Sequence, residues 1–240
     1  MKTIGIVVHS AEGGALCFQT VCREGIQRLG DHMHPRTLVS AIPMGLSMPG
    51  WETDQFDEVA QFLTAGIEDV AKAGADFFIC PDNTAHIVLE QIEDRFPIPG
   101  LHIADAVSKK VLANGWGTVG VLGTEWTMTG PVYKAAFDRR RIHHIVPDPS
   151  ARRFIHGAIF EELCNGQFYE DTITRFIEVI EKLKSEGADC VLLGCTEIPL
   201  IIGEHNSPLP ILDSTRLLSS SAVDYALSSG ETEGSGWLSD

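Results

Sequence analysis

Basic residues are scarce in this chain. Its 240 residues carry 18 Lys and Arg against 33 Asp and Glu, a formal net charge of −15. Nucleic acid and anionic membranes are gripped through a basic face, so neither is expected as a partner. A small anion is not, because a few local donors can hold one. Long apolar runs are also missing, and none approaches the roughly 20 residues that cross a bilayer. Met1-Lys2 leads straight into a strand, without a signal-peptide pattern. The six cysteines (17, 22, 80, 164, 190 and 195) contain no Cys-x-x-Cys pair and no tight framework. That usage reads as a reduced, cytoplasmic compartment. Gly13-Gly14 follows the first strand but is not a G-x-G-x-x-G, which argues against a dinucleotide site. His9, Glu12 and Asp82 come nearest to a metal set, yet their spacing fits no metal signature, and no metal is expected.

What remains is an ordinary globular composition, 44% apolar and 21% charged. At this length a chain buries roughly 70–75% of its extended surface and needs no staples. Short apolar, β-branched runs alternate with helical spacing along the chain. Strands are expected at 3–8, 36–42, 98–103, 142–146 and 209–212, in the apolar runs that follow Gly74-Ala75-Asp76 and Gly187-Ala188-Asp189, and within 118–124. Helices are expected at 15–29, 53–73 (with Thr53 as N-cap), 84–94, 104–112, 130–140, 151–164, 171–186 and 214–227. Residues 43–51 read as a long apolar loop, either one able to close over a site or a plain surface connection. Strand–helix alternation implies parallel sheets covered on both faces.

The chain also repeats itself. Gly74-Ala75-Asp76 and Gly187-Ala188-Asp189 each open an apolar run, and the same eight residues separate Gly74 from Asp82 and Gly187 from Cys195. Upstream, Thr118–Thr124 resembles Thr3–His9. The expectation is an α/β protein of two pseudo-symmetric Rossmann-like lobes. The first lobe is 1–114 with 214–228, the second 115–213, and 229–240 is a disordered Gly/Ser/Glu-rich tail. In open α/β sheets ligands lie beyond the carboxyl ends of the strands. That places Asp82 and Cys195 on opposite walls of a cleft between the lobes, where two titratable groups suit a two-base proton transfer at a carbon acid. A helix N-terminus after Cys195 is expected to lower its thiol pKa.

Leu193-Gly194-Cys195-Thr196-Glu197-Ile198-Pro199-Leu200, with Asp82-Asn83-Thr84-Ala85-His86, resembles the aspartate/glutamate racemase family, which inverts α-carbons without pyridoxal phosphate. The likeness extends through Leu101–Asp105, Leu122-Gly123-Thr124, Thr127-Met128 and Phe160–Phe168. It implies a cofactor-free isomerase, commonly a homodimer, acting on a small amino-acid or carboxylate substrate. Cys195 corresponds to one catalytic cysteine. Asn83, Thr84 and Thr196 would bind the substrate's carboxylate or amino group, with Thr124, His9, Ser10 and Glu197 completing the binding set.

The departures are as informative. Asp82 stands where the family's other catalytic cysteine usually precedes Asn-Thr, so Asp82 and Cys195 become an asymmetric catalytic pair. Cys80 lies one residue pair deeper and is not promoted to catalyst. The 43–51 loop lacks the arginine with which dicarboxylate racemases grip a side-chain carboxylate, and Glu125 stands where relatives often carry arginine. Plain aspartate or glutamate is therefore a poor substrate. Three readings follow: a racemase or epimerase using Asp82 and Cys195; a single-cysteine carbon-acid enzyme resembling arylmalonate decarboxylase or maleate isomerase; or a binding relative without catalysis. His102, at a strand end beside Asp105, is expected to make a structural hydrogen bond, His143-His144 to end a strand, and Arg139–Arg141 to be a solvated helix end. Arg152, Arg153 and Cys164 are expected to be structural.

Overall fold

The computed structural model describes residues 1–230 and 236–238. Two compact units emerge: Met1–Ile103 with Thr215–Asp240, and Ala104–Ser214.

The first unit opens with β1 (Ile4–Val8), α1 (Ala11–Leu29), β2 (Thr37–Ala41), α2 (Met48–Glu52), α3 (Phe56–Lys72), β3 (Phe77–Ile79), α4 (His86–Leu89) and β4 (Gly100–Leu101). Its four parallel strands lie in the order β2-β1-β3-β4. β1 is buried on both faces, which explains its unbroken apolar run. Ile4, Ile6 and Val8 join a core with Cys17 and Val21 of α1. The alternate residues Gly5 and Val7 face α3: a Cβ on Gly5 would sit 2.7 Å from Val70, and one on Gly66 2.7 Å from Val7.

The second unit runs through α5 (Ile103–Ala113), β5 (Thr118–Gly123), α6 (Glu125–Thr129), α7 (Pro131–Arg140), β6 (His143–Ile145), α8 (Pro149–Glu161), α9 (Glu170–Ser185), β7 (Cys190–Gly194) and β8 (Ile211–Asp213). Its parallel sheet has the order β6-β5-β7-β8, the first unit's order over again. α10 (Ser214–Leu227) then returns to the first unit, where Leu218, Ala222, Val223 and Ala226 pack in the core with β1 and β3. α5, expected with the first lobe, falls almost wholly within the second unit, where Asp105 meets Arg140 of α7 at 2.9 Å.

The Gly-Ala-Asp repeat is a structural joint. Gly74 and Gly187 take φ +95° and +100°, a conformation that side chains disfavour, and so end α3 and α9. The next amides return to the helices, Ala75 N–H to Val70 O and Ala188 N–H to Leu183 O. Asp76 then bridges to Thr3 twice, its N–H to Thr3 O and its Oδ2 from Thr3 N–H at 2.6 Å. Asp189 does the same with Thr118 and also accepts from Gly117 N–H at 2.8 Å.

Several elements differ from the sequence expectation. Residues 43–51 are not an open loop: they form a 3-10 turn at Met44–Leu46 and then α2, whose Trp51 is buried against Phe56. Thr53 ends α2, donating from its hydroxyl to Pro49 O, instead of capping α3. The expected helix at 84–94 shrinks to α4, because residues 85–89 are buried on every side and periodicity carries no signal there. Pro97 and Pro99 trim the strand expected at 98–103 to two residues. His143 and His144 begin β6 instead of ending it. The structural hydrogen bond expected of His102 is made to Glu90 at 3.0 Å. Arg140 and Arg139 are not merely solvated but face Asp105 at 2.9 and 3.7 Å.

Of the expected tail, 231–235 and 239–240 lie outside the described residues. Gly236–Leu238 bridges Gly100 on the edge of β4, and Trp237 stacks on the His86 ring at 5.3 Å. Among the described residues, no helix is long and apolar enough to cross a membrane.

Candidate active site

In both units the adjacent central strands release their chemistry side by side. β1 pairs Ile6 with Ile79, and three residues further on stand His9 and Asp82. β5 pairs Gly123 with Gly194, and the next residues are Thr124 and Cys195. The latter strands approach so closely that a Cβ on Gly194 would lie 2.7 Å from Leu122 O. Two glycines at the strand ends are therefore what lets Thr124 and Cys195 leave at that spacing.

In the first unit, His9 Nδ1 stands 3.4 Å from Asp82 Oδ2. The imidazole is 2% exposed and the carboxylate 30%, so the histidine is the enclosed partner. Asp82 Oδ1 is committed elsewhere, accepting from Thr84 N–H at 3.0 Å and Ala85 N–H at 3.3 Å, and so capping the turn into α4. His9 Nε2 is buried and, among the described residues, has no hydrogen-bond partner. Ser10 caps α1, its hydroxyl accepting from Gly13 N–H. Asn83 and Thr84 are buried in the same turn. His86 makes a 3.1 Å bond from Nε2 to Cys80 O. Burial, and next the neighbouring His102, pulls His86 well below the ordinary imidazole pKa, so it is neutral and donates. Cys80 is pushed well up by burial and then by the Asp82 charge, an inert thiol beneath the turn.

His9 and Ser10 also line a cavity of 440 Å3. Its other walls include Phe18, Val39, Ile42 and Pro43, and the imidazole is its one titratable side chain.

In the second unit, Cys195 is buried and its Sγ–H donates to Glu197 Oε2 at 3.0 Å. The Thr196 hydroxyl donates to the same oxygen at 2.7 Å. Burial raises the Cys195 pKa well above the ordinary thiol value, and the Glu197 charge raises it further. The expectation of a thiol acidified by a helix N-terminus is thus reversed. The turn that follows, Ile198–Leu200, is a three-residue 3-10 helix with little dipole, and the nearest charge is negative. Thr124 caps α6 from its side chain and sits 3.1 Å from the Thr127 hydroxyl. Glu125 is held at 3.0 Å by Arg152 Nε, while its backbone N–H donates to His156 Nδ1.

The sequence-derived residues therefore gather into two groups: His9, Ser10, Asp82, Asn83 and Thr84 in one unit, and Thr124, Cys195, Thr196 and Glu197 in the other. The roles of His9 and Glu197 as direct partners of Asp82 and Cys195 were not legible as such. The available signal was the strand register, which puts position 9 beside position 82. Among the described residues, no three His, Cys, Asp or Glu side chains cluster in a way that could hold a metal ion.

The sequence profile of the Asp/Glu/Hydantoin racemase family matches residues 16–222. The broad-specificity amino-acid racemase RacX of Bacillus subtilis is 26% identical over 179 residues, 71% of this chain and 74% of its own length. A Yersinia pestis protein provisionally assigned as an Asp/Glu racemase superposes with a TM-score of 0.85 at 28% identity, covering 95% of this chain and all of its own. An aspartate racemase homologue from Pyrococcus horikoshii OT3 follows with a TM-score of 0.78 at 25% identity, over 94% of this chain and 99% of its own. Two matched strand–turn units, a cysteine ending one of them and a profile spanning most of the length lead to one assignment: the chain belongs to the Asp/Glu/Hydantoin racemase family.

Proposed function

We propose that this protein is a cofactor-independent amino-acid racemase or epimerase. It removes the α-proton from one face of its substrate and returns a proton to the other, with one acid/base centre in each unit: Cys195, and its counterpart at Asp82. The carrying observation is the Cys195 thiol, held as S–H by burial and aimed at Glu197 at 3.0 Å. A neutral thiol beside a carboxylate is a proton donor whose proton has somewhere to return. Asn83, Thr84 and Thr196 receive the substrate's carboxylate and amino groups.

The substrate side chain is neutral and apolar. The cavity beside His9 is walled by Phe18, Val39, Ile42 and Pro43. Arg152, a cation of the second unit, is engaged by Glu125. A side-chain carboxylate would find no opposite charge in that cavity and would lose hydration on entering it. We take the enzyme to act as a cytoplasmic homodimer.

The test is a panel of D- and L-amino acids and 2-substituted malonates incubated in D2O and followed by NMR and chiral chromatography. Deuterium uptake at Cα with inversion, strongest for apolar side chains, is the expected result. CO2 release without inversion would transfer the protein to decarboxylase chemistry. Binding by thermal shift with no turnover on any compound would make it a non-catalytic relative.

A further inference from the structure

We propose that His9 carries the proton in the first unit, and that Asp82 serves it as a positioning carboxylate. This inference rests on the racemase reading and names the reacting atom on the Asp82 side as His9 Nε2.

Three observations support it. First, Asp82 is already occupied: Oδ1 accepts two backbone amides, and Oδ2 faces His9 Nδ1 at 3.4 Å. Second, His9 is 2% exposed at its side chain, and Nε2 is buried with no partner among the described residues. A neutral imidazole with Nδ1–H turned to a carboxylate leaves the Nε2 lone pair free, and an enclosed free lone pair is a base awaiting an acid. Third, the two units match chemically when His9 is included. In the second unit the carboxylate of Glu197 stands behind the Cys195 thiol at 3.0 Å. In the first, the carboxylate of Asp82 stands behind the His9 imidazole. Each unit thus presents one proton-transfer group backed by one carboxylate.

Other ionisable groups near His9 do not take this place. Glu12 is exposed on the first turn of α1, Cys17 lies buried in the core, and Cys80 is a buried thiol. Asp82 is the contact.

The step balances. His9 Nε2 takes the α-proton through its lone pair and becomes imidazolium, while the C–H electron pair passes into the enolate of the substrate carboxylate. Cys195 S–H gives its proton to the opposite face of that carbon and becomes thiolate. The resulting imidazolium–thiolate form runs the same reaction on the other enantiomer, or returns to the neutral form by exchanging protons with water. The Nε2 lone pair on one side and the thiol proton on the other supply one acceptor and one donor.

The experiment compares His9→Gln, Asp82→Asn and Cys195→Ser, with His9→Asn as a second variant that keeps an amide near Asp82. Two-dimensional 15N NMR on histidine-labelled protein without substrate should show His9 as the Nδ1–H tautomer, and Asp82→Asn should erase that preference. With the substrate found by the panel, His9→Gln and His9→Asn should lose inversion by at least 100-fold. They should still exchange deuterium into one enantiomer through Cys195, and Cys195→Ser should exchange only into the other. Asp82→Asn should lower kcat with KM nearly unchanged, and by less than His9→Gln. The proposal is overturned if both His9 variants, folded by circular dichroism, invert at the wild-type rate while Asp82→Asn does not. It is equally overturned if the tautomer is indifferent to Asp82→Asn. Should the wild type turn over nothing, the racemase reading fails by itself, and the tautomer measurement still decides the dyad.

Discussion

The turns after β3 and after β7 share a backbone and differ in chemistry. Both follow a helix stopped by a positive-φ glycine, a buried alanine, and an aspartate that ties the strand to its neighbour. Both end eight residues after that glycine at a polar group on the sheet's carboxyl edge. There the likeness stops. The turn after β7 holds a thiol donating to a carboxylate, and the turn after β3 holds a carboxylate that caps amides and faces an imidazole. Scaffold duplication constrains the positions that hold the backbone together, and leaves the strand-end position free to change. The way to probe this is to disturb equivalent positions in the two units and ask whether they answer alike.

The largest difference is expected at the strand ends. Cys195→Ser should lower inversion by roughly 10^3-fold or more, in the range for loss of a positioned acid/base group. Deuterium exchange into one enantiomer should survive. Loss of exchange into both enantiomers would show that the two centres do not act separately.

Next comes the pH response of the Cys195 thiol. Its pKa is raised, so the thiolate fraction is small at neutral pH and grows only as pH rises beyond the ordinary thiol range. Alkylation of Cys195 by iodoacetamide, followed by peptide mass spectrometry, should be slow at pH 7 and climb at high pH. Glu197→Gln removes the negative charge that opposes the thiolate, so its profile should move to lower pH, and its inversion rate should fall by at least tenfold, about 1.4 kcal/mol. An unmoved profile would make burial the sole cause of the shift.

The scaffold positions should be nearly interchangeable, with one graded difference. A Cβ on Gly5 would come within 2.7 Å of Val70 and 3.1 Å of Ala75, whereas one on Gly120 would meet Leu183 at 3.0 Å and Ala188 at 3.6 Å. The contacts are equivalent, but the first joint is tighter, and its β-branched Val70 yields less than a leucine terminus. Gly5→Ala should cost about 1–3 kcal/mol and Gly120→Ala less than half of that, read by denaturant unfolding. Equal costs would mean that the two joints relax alike.

Much of this was legible in the sequence, for physical reasons. β1 and β7 are buried on both faces and read as unbroken apolar runs. Long amphipathic helices such as α3 and α9 declare themselves by period, and α10 matched its expected span, Ser214–Leu227. The eight-residue offset found Asp82 and Cys195 without any structure. Illegible was which atom each side chain turns to, and, for His9 beside Asp82, a partner distant in sequence. Nothing local to Asp82 says that its oxygens are spent on Thr84, Ala85 and His9. Nothing local to Cys195 says that Glu197 turns back toward its sulfur instead of out toward a ligand. The polar tail gave no hint of Trp237, whose position on His86, His102 and Phe96 comes from ring packing. Residues 85–89 failed for the opposite reason, since a segment buried all round has no polar face to give its period away.

The smallest effect separates the two aspartates of the repeat. Asp189 Oδ2 receives two amides, Gly117 N–H and Thr118 N–H, at 2.8 and 2.9 Å, while Asp76 Oδ2 receives Thr3 N–H at 2.6 Å. Both carboxylates are exposed, so water can replace them in the unfolded and the substituted protein, and each bond contributes only its net value of about 0.5–1.5 kcal/mol. Alanine at position 189 should therefore cost about 1–2 kcal/mol and alanine at 76 about half as much. At roughly 2–4 °C per kcal/mol for a chain of this size, the two melting temperatures should differ by a few degrees. The ordering follows from the number of amides held. Equal losses would mean that Gly117 N–H finds water as readily as it finds Asp189, so that the Asp189 carboxylate, like that of Asp76, contributes the value of a single bond.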